Sequence, residues 1–120
     1  EWIDEFDFSS YDYILDAIDD IPPKVHLIKK YYKKLITTAG SAKRMDPSKI
    51  EYLSIWKTYN DPFIRKIRYE LKKGGFKKKF NVIFSSESPN CIEKGSFEAV
   101  TGSFGFMMAS LTVRKLLNIT

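Results

Sequence analysis

The run Asp16-Ala17-Ile18-Asp19-Asp20, directly behind the apolar stretch Tyr11–Leu15, limits the folds open to this chain more than any other feature. Tyr11–Leu15 reads as a buried strand of aromatic and β-branched character. Behind it, Asp20 can cap a helix, and Pro22 and Pro23 suit that helix's first turn, where no amide hydrogen is needed. Carboxylates therefore gather where a strand gives way to a helix. In open α/β sheets ligands sit outside the carboxyl ends of strands, so a metal–nucleotide would be handled at this turn. The spacing Asp16-x-x-Asp19 suits Mg²⁺, a hard cation that takes one or two carboxylates and completes its shell with phosphates and water. A purely structural reading has Asp20 capping the helix and Asp16 held by neighbouring backbone amides.

The rest of the chain alternates in kind. Val25, Leu27, Ile28, Tyr31, Tyr32 and Leu35 give the first long helix an apolar side to about Lys34. In its first turn Lys24 has two readings, facing a substrate or solvated, of which the solvated one is expected, and His26 is expected to be packed or at the surface. Leu35–Thr38 reads as a short strand running into Ala39-Gly40-Ser41, and Lys43–Ile55 as extended chain with a turn at Asp46-Pro47-Ser48. Asn60-Asp61-Pro62 starts a second helix, with Phe63, Ile64, Ile67 and Leu71 on one face and Gly74-Gly75 as its stop. Phe80–Phe84 reads as a strand, Ser85–Ser96 as a polar loop, and Thr101–Leu117 as a last helix. That helix is apolar nearly all round until Arg114 and Lys115, so burial is expected. Alternating strands and helices predict an α/β domain over residues 1–120 with a largely parallel sheet.

Charge is distributed unevenly. Residues 1–20 carry eight acids and no base, whereas residues 65–79 carry eight bases (Arg65, Lys66, Arg68, Lys72, Lys73, Lys77, Lys78 and Lys79) against Glu70 alone. That second segment is +7, more than the whole-chain excess of +5. Such a block is the electrostatic footprint of a nucleic-acid contact, though a solvated helix face has the same composition. The single cysteine, Cys91, excludes an internal disulfide and a structural zinc site built from paired cysteines, which fits a reducing compartment. No leader is visible, and Phe104–Val113, the most apolar stretch, falls short of the roughly 20 residues a membrane span takes.

Several segments, in order, resemble the TcdA-type tRNA threonylcarbamoyladenosine dehydratases, a branch of the ThiF/MoeB/HesA superfamily that also contains ubiquitin-activating enzymes. They are Asp12–Asp19, Pro23-Lys24, Leu27-Ile28, Thr37–Gly40, Asp46–Ile50, Lys57-Thr58-Tyr59-Asn60-Asp61-Pro62 with Arg65 and Arg68, Val82–Glu87, and Val100–Phe106. The first motif occurs across the superfamily, while the Lys-Thr-x-x-Asp-Pro helix start and the Asp-Pro turn are specific to the dehydratase branch.

The resemblance implies the C-terminal half of a Rossmann-like adenylating domain, with a largely parallel sheet and an antiparallel extension. It implies ATP and Mg²⁺ as cofactors, tRNA as partner, and a homodimer, in the cytoplasm or on a mitochondrial surface. Activation of the threonylcarbamoyl carboxylate as an acyl-adenylate would make it electrophilic, and intramolecular attack would close a ring with loss of water. Asp19 would be the carboxylate contacting Mg²⁺ and ATP, and Asp16 its structural neighbour. Lys43 and Arg44, after the Gly40 turn, are candidates for phosphate or tRNA. Lys57 and Thr58 fit a catalytic or a helix-positioning role. No histidine lies near Cys91 and dehydration needs no thioester, so no catalytic part is expected for it. The family's glycine-rich loop and ribose-binding acid precede the acidic strand and are not found, so this piece is expected not to adenylate alone. An activator of a ubiquitin-like or sulfur-carrier protein is the alternative within the superfamily, and a binding or dimerisation module the non-enzymatic one.

Overall fold

A computed structural model describes residues 2–40, 44–89 and 98–119, the first two residues of the last stretch as backbone only. Its helices are α1 (Trp2–Glu5), α2 (Ile21–Tyr31), α3 (Pro62–Lys73) and α4 (Glu98–Leu116). Its strands are β1 (Ile14–Asp16), β2 (Leu35–Thr38), β3 (Ile50–Ser54) and β4 (Asn81–Ser85), in the sheet order β1-β2-β4-β3. β1, β2 and β4 run parallel, and β3 pairs antiparallel with β4 from Ile50 opposite Ser85 to Ser54 opposite Asn81. Class and sheet sense are thus as the alternation predicts.

Successive side chains of a strand point to opposite faces, and here both faces are covered. Leu35, Val82 and Phe84 pack with Val25, Leu27 and Ile28 of α2 and with Ile64, Ile67 and Leu71 of α3. Ile36 and Ile83 face the other way, onto Val100, Phe104, Met108 and Leu111 of α4. A parallel sheet buried on both sides reads in sequence as an unbroken apolar run, which is what Val82–Phe84 is.

Several features depart from expectation, at an element's end or in burial. The first strand covers Ile14–Asp16 rather than Tyr11–Leu15. Lys34 Nζ donates to the carbonyls of Phe8 and Tyr11 at 2.6 and 3.1 Å, which holds that segment off the sheet, and Tyr11 is exposed. The first long helix is α-helical only to Tyr31 and tightens into a 3₁₀ turn over Tyr32–Lys34 before β2. Helix α4 is not buried all round. Its i, i+4, i+8, i+11 stripe of Val100, Phe104, Met108 and Leu111 is covered, while Phe106 is 77% exposed and Val113, Leu116 and Leu117 are also open. Composition alone does not tell a helix buried on all sides from one covered on a single stripe, because lost packing partners leave no mark on it. α4 lies over β2 and β4. In the described sheet β1 has β2 as its sole neighbour, and Leu15 between its two buried neighbours is half-exposed.

Candidate functional site

The carboxyl ends of β1, β2 and β4 place Asp16, Thr38 and Ser85 at one end of the sheet, where the chain turns away into loops. The best-defined feature there is a buried ion pair. Lys24 Nζ lies 2.9 Å from Asp16 Oδ2, and neither side chain is exposed. Thr37 Oγ1 donates to the same carboxylate oxygen, and Asp16 Oδ1 accepts from the Ile18 amide at 2.9 Å. Lys24 Nζ also donates to the Ile18 carbonyl at 3.0 Å and sits 5.9 Å from the centroid of the Phe63 ring. One ammonium group thus ties the end of β1, the following turn and the first turn of α2 together. Burial pulls the Lys24 pKa below the ordinary lysine value, against the opposing charges of Asp16, Asp19 and Asp61.

The expectation that Lys24 is solvated is therefore overturned. Lys24, the fourth residue of a helix that begins Ile-Pro-Pro, gives no warning of burial, and its partner is the aspartate eight residues earlier. Asp20 occupies the N-cap position but makes no side-chain cap bond, so the predicted capping role is also corrected. Both Asp16 oxygens are engaged within the protein, the backbone amide of Ile18 being one partner, as the structural reading supposed. Of the two spaced carboxylates, Asp19 is the one exposed to solvent.

A second cluster surrounds the start of α3. Asp61 is its N-cap, with Oδ1 accepting from the Ile64 amide at 3.0 Å. Its other oxygen is buried, makes no hydrogen bond, and lies 3.9 Å from Arg44 Nη2. Burial pushes the Asp61 pKa up, opposed by the Ile64 amide and the Arg44 charge. Arg44 Nη2 donates to the Asn60 carbonyl at 2.8 Å, and the Asn60 side chain donates to the Ser86 carbonyl at 2.8 Å. Asn60 holds a φ of 59°, the left-handed region that asparagine tolerates better than most residues. Thr58 Oγ1 donates to the Ile55 carbonyl at 2.7 Å and accepts from Arg68 Nη1, which also reaches the Thr58 carbonyl at 3.2 Å. The Lys57–Pro62 signature is thereby explained at Thr58 and Asp61 as the scaffold of a helix start. Glu87 joins the same end, accepting from the Met45 and Asp46 amides, while Asp46 accepts from Ser48 as the Asp-Pro turn predicts.

The remaining candidates fall elsewhere. Lys43 and Cys91 lie outside the described residues. His26 sits at the surface, with Nε2 2.9 Å from Asp4 Oδ1. Of the basic segment, Arg65, Lys66, Lys72, Lys73, Lys77, Lys78 and Lys79 are exposed, whereas Arg68 is half-buried and engaged with Thr58. Among the described residues no three His, Cys, Asp or Glu side chains converge as a metal cage. No described helix is long and apolar enough to cross a membrane.

No protein-family model matches the chain. Individual relatives do. It is 41% identical over 92 residues to the tRNA threonylcarbamoyladenosine dehydratase of Bacillus subtilis, covering 74% of this chain and 36% of that protein. It is 31% identical over 133 residues to the protein of the same name in Haemophilus influenzae, covering 89% of this chain and 51% of that one. Among solved structures, Escherichia coli TcdA in complex with AMP superimposes with a TM-score of 0.85 at 32% identity, over 92% of this chain and 51% of that chain. TcdA in complex with ATP gives 0.83 at 33% identity, over 90% and 49%. The chain thus spans about half the length of most of these relatives, and less of the B. subtilis protein. Sequence motifs, sheet order and superposition agree, and the chain belongs to the TcdA-type tRNA threonylcarbamoyladenosine dehydratase family, with its ThiF-like, Rossmann-type fold.

Proposed function

We propose that this chain is the C-terminal part of an enzyme that uses ATP to dehydrate threonylcarbamoyladenosine in tRNA to its cyclic form, in the cytoplasm. The observation that carries the reading is the exposed Asp19 on a turn locked by Lys24 and Asp16, at the carboxyl end of a parallel strand, in a fold shared with a dehydratase that binds ATP. A lone carboxylate of this kind fits Mg²⁺, which accepts one protein ligand and takes the rest of its shell from phosphates and water. When bound, the metal would neutralise phosphate charge and orient the α-phosphate for attack.

This chain's own residues would act in defined places. Asp19 is the group offered to the metal–nucleotide, and Asp16 takes part through the turn it holds. Lys43 and Arg44 are the cations we assign to phosphate, Arg44 being only 5% exposed and held on the Asn60 carbonyl beside Asp61, so that it acts from beneath the surface. The exposed bases Arg65, Lys66, Lys72, Lys73, Lys77, Lys78 and Lys79 supply sequence-independent contacts to the tRNA backbone, with Arg68 bracing the helix that carries them. Affinity for tRNA should then fall steeply with salt. The open side of α4 is assigned to a second copy of the chain.

The test uses the full-length protein with ATP, Mg²⁺ and threonylcarbamoyladenosine-containing tRNA, followed by digestion and nucleoside mass measurement. A product lighter by one water, lost in Asp19→Ala, is expected. Unchanged nucleosides, with adenylation of a ubiquitin-like protein's C-terminus instead, would transfer the chain to the alternative activity.

A further inference from the structure

An open groove of about 550 Å³ runs along the outer side of α3, lined by Ile21, Arg65, Lys66, Tyr69, Glu70 and Lys73. Arg65, Tyr69 and Lys73 follow one another at four-residue intervals and so share one face of the helix. Tyr69 is 65% exposed and forms no hydrogen bond or ring contact with any described residue. Arg65 and Lys66 form no ion pair among the described residues, while Lys73 stands 4.0 Å from Glu70. Elsewhere on the same helix Lys72 is already placed over the Trp56 ring at 5.8 Å. At its other wall the groove meets Ile21, the residue that follows Asp19 and Asp20.

A bare aromatic ring set among cations is the arrangement by which proteins hold unpaired nucleotides. The ring stacks on a base, and the cations take the phosphates on either side. We infer that Tyr69 is the stacking platform for an unpaired base of the tRNA substrate, with Arg65 and Lys66 on the adjoining phosphates. Glu70 repels phosphate and so directs the backbone toward the Arg65–Lys66 end, next to the Asp19 turn. This deepens the tRNA reading and rests on it. It adds something the charge block lacks, since phosphate contacts alone do not tell a loop from a duplex.

The test uses the full-length protein and fluorescence anisotropy with two labelled RNAs of equal charge, an anticodon stem-loop and a fully paired duplex. Tyr69→Ala is expected to weaken the stem-loop by about 5- to 150-fold, the range stacking on one base supports, with duplex binding and the salt slope unchanged. Tyr69→Phe should restore stem-loop binding. The pair Arg65→Gln and Lys66→Gln should weaken both RNAs and flatten the salt dependence. If the charge variants lose both RNAs while Tyr69→Ala binds the stem-loop like the unaltered chain, the stacking role is wrong and the tRNA reading stands. If the unaltered chain binds neither RNA, both fall together. Displacement of the stem-loop by excess ATP would assign the ring to the adenine of the nucleotide instead, and would overturn the inference.

Discussion

Lys24 and Asp16 meet at 2.9 Å with no exposed side-chain surface on either, at the point where the first parallel strand hands over to its helix. Removing one member of such a pair leaves the other charge buried and uncompensated, which costs about 3–5 kcal/mol. Lys24→Met and Asp16→Leu are each expected to destabilise by that order, and the double variant by clearly less than their sum. Urea denaturation of the four proteins checks the cycle.

The same lysine gives stability a pH dependence of known sign. Its folded pKa lies below the unfolded value of 10.5, so the folded state binds fewer protons in the window between the two. Stability contributed by Lys24 therefore rises as pH climbs through that window. The alkaline rise should be absent in Lys24→Met, as read from denaturation midpoints measured from neutral pH upward.

Asp61 works in the opposite sense. Burial raises its folded pKa above 3.8, so the folded state holds its proton longer than the unfolded one, and stability falls as pH rises through the interval above 3.8. Asp61→Asn keeps an acceptor for the Ile64 amide and should abolish that slope. Asp61→Ala also removes the cap and should cost about 1–2 kcal/mol.

Asp4 anchors α1 to α2. Hydrogen bonds from Lys30 first and His26 second pull its pKa from 3.8 down to about 2. The contact is fully in force above pH 3.8 and is lost as pH falls through 2. Trp2 fluorescence should report release of α1 in that acid range, at a shifted pH in Lys30→Ala. High salt should weaken the contact, because the partners are about half exposed.

Phe106 is 77% exposed on α4, so Phe106→Glu should leave thermal stability within about 0.5 kcal/mol. Sedimentation at several concentrations should show self-association of the unaltered chain and its loss in this variant. A strict monomer in both would count against pairing through α4.

Class, sheet sense and most elements were legible because their signals are local. Pro62 behind Asn60-Asp61 marks a helix start whatever surrounds it, and Gly74-Gly75 marks its end, with Gly75 at a φ of 80°. The turn at Asp16–Asp20 could be located but not understood from spacing alone. Which of its acids faces solvent depends on a lysine arriving from the next helix and a threonine from the next strand, and the order of residues does not announce tertiary partners. The same limit left Thr58 between two readings and hid the role of Arg68, and the two close on one another across ten positions. The uncovered side of α4 was invisible for a different reason, since apolar composition records what a surface could bury and not whether anything lies against it.

Strand β1 has consequences beyond the site it leads into. It is three residues long, has β2 as its sole neighbour in the described sheet, and carries the half-exposed Leu15. An open strand edge is a template on which a foreign strand can grow. Here the template is brief, and the exposed acids Asp12, Asp19 and Asp20 stand around it. In the 120-residue piece these carboxylates also act as a local repulsive screen beside the open edge. Neutralising them in that piece removes the screen, so turbidity should accompany any measurement on such variants.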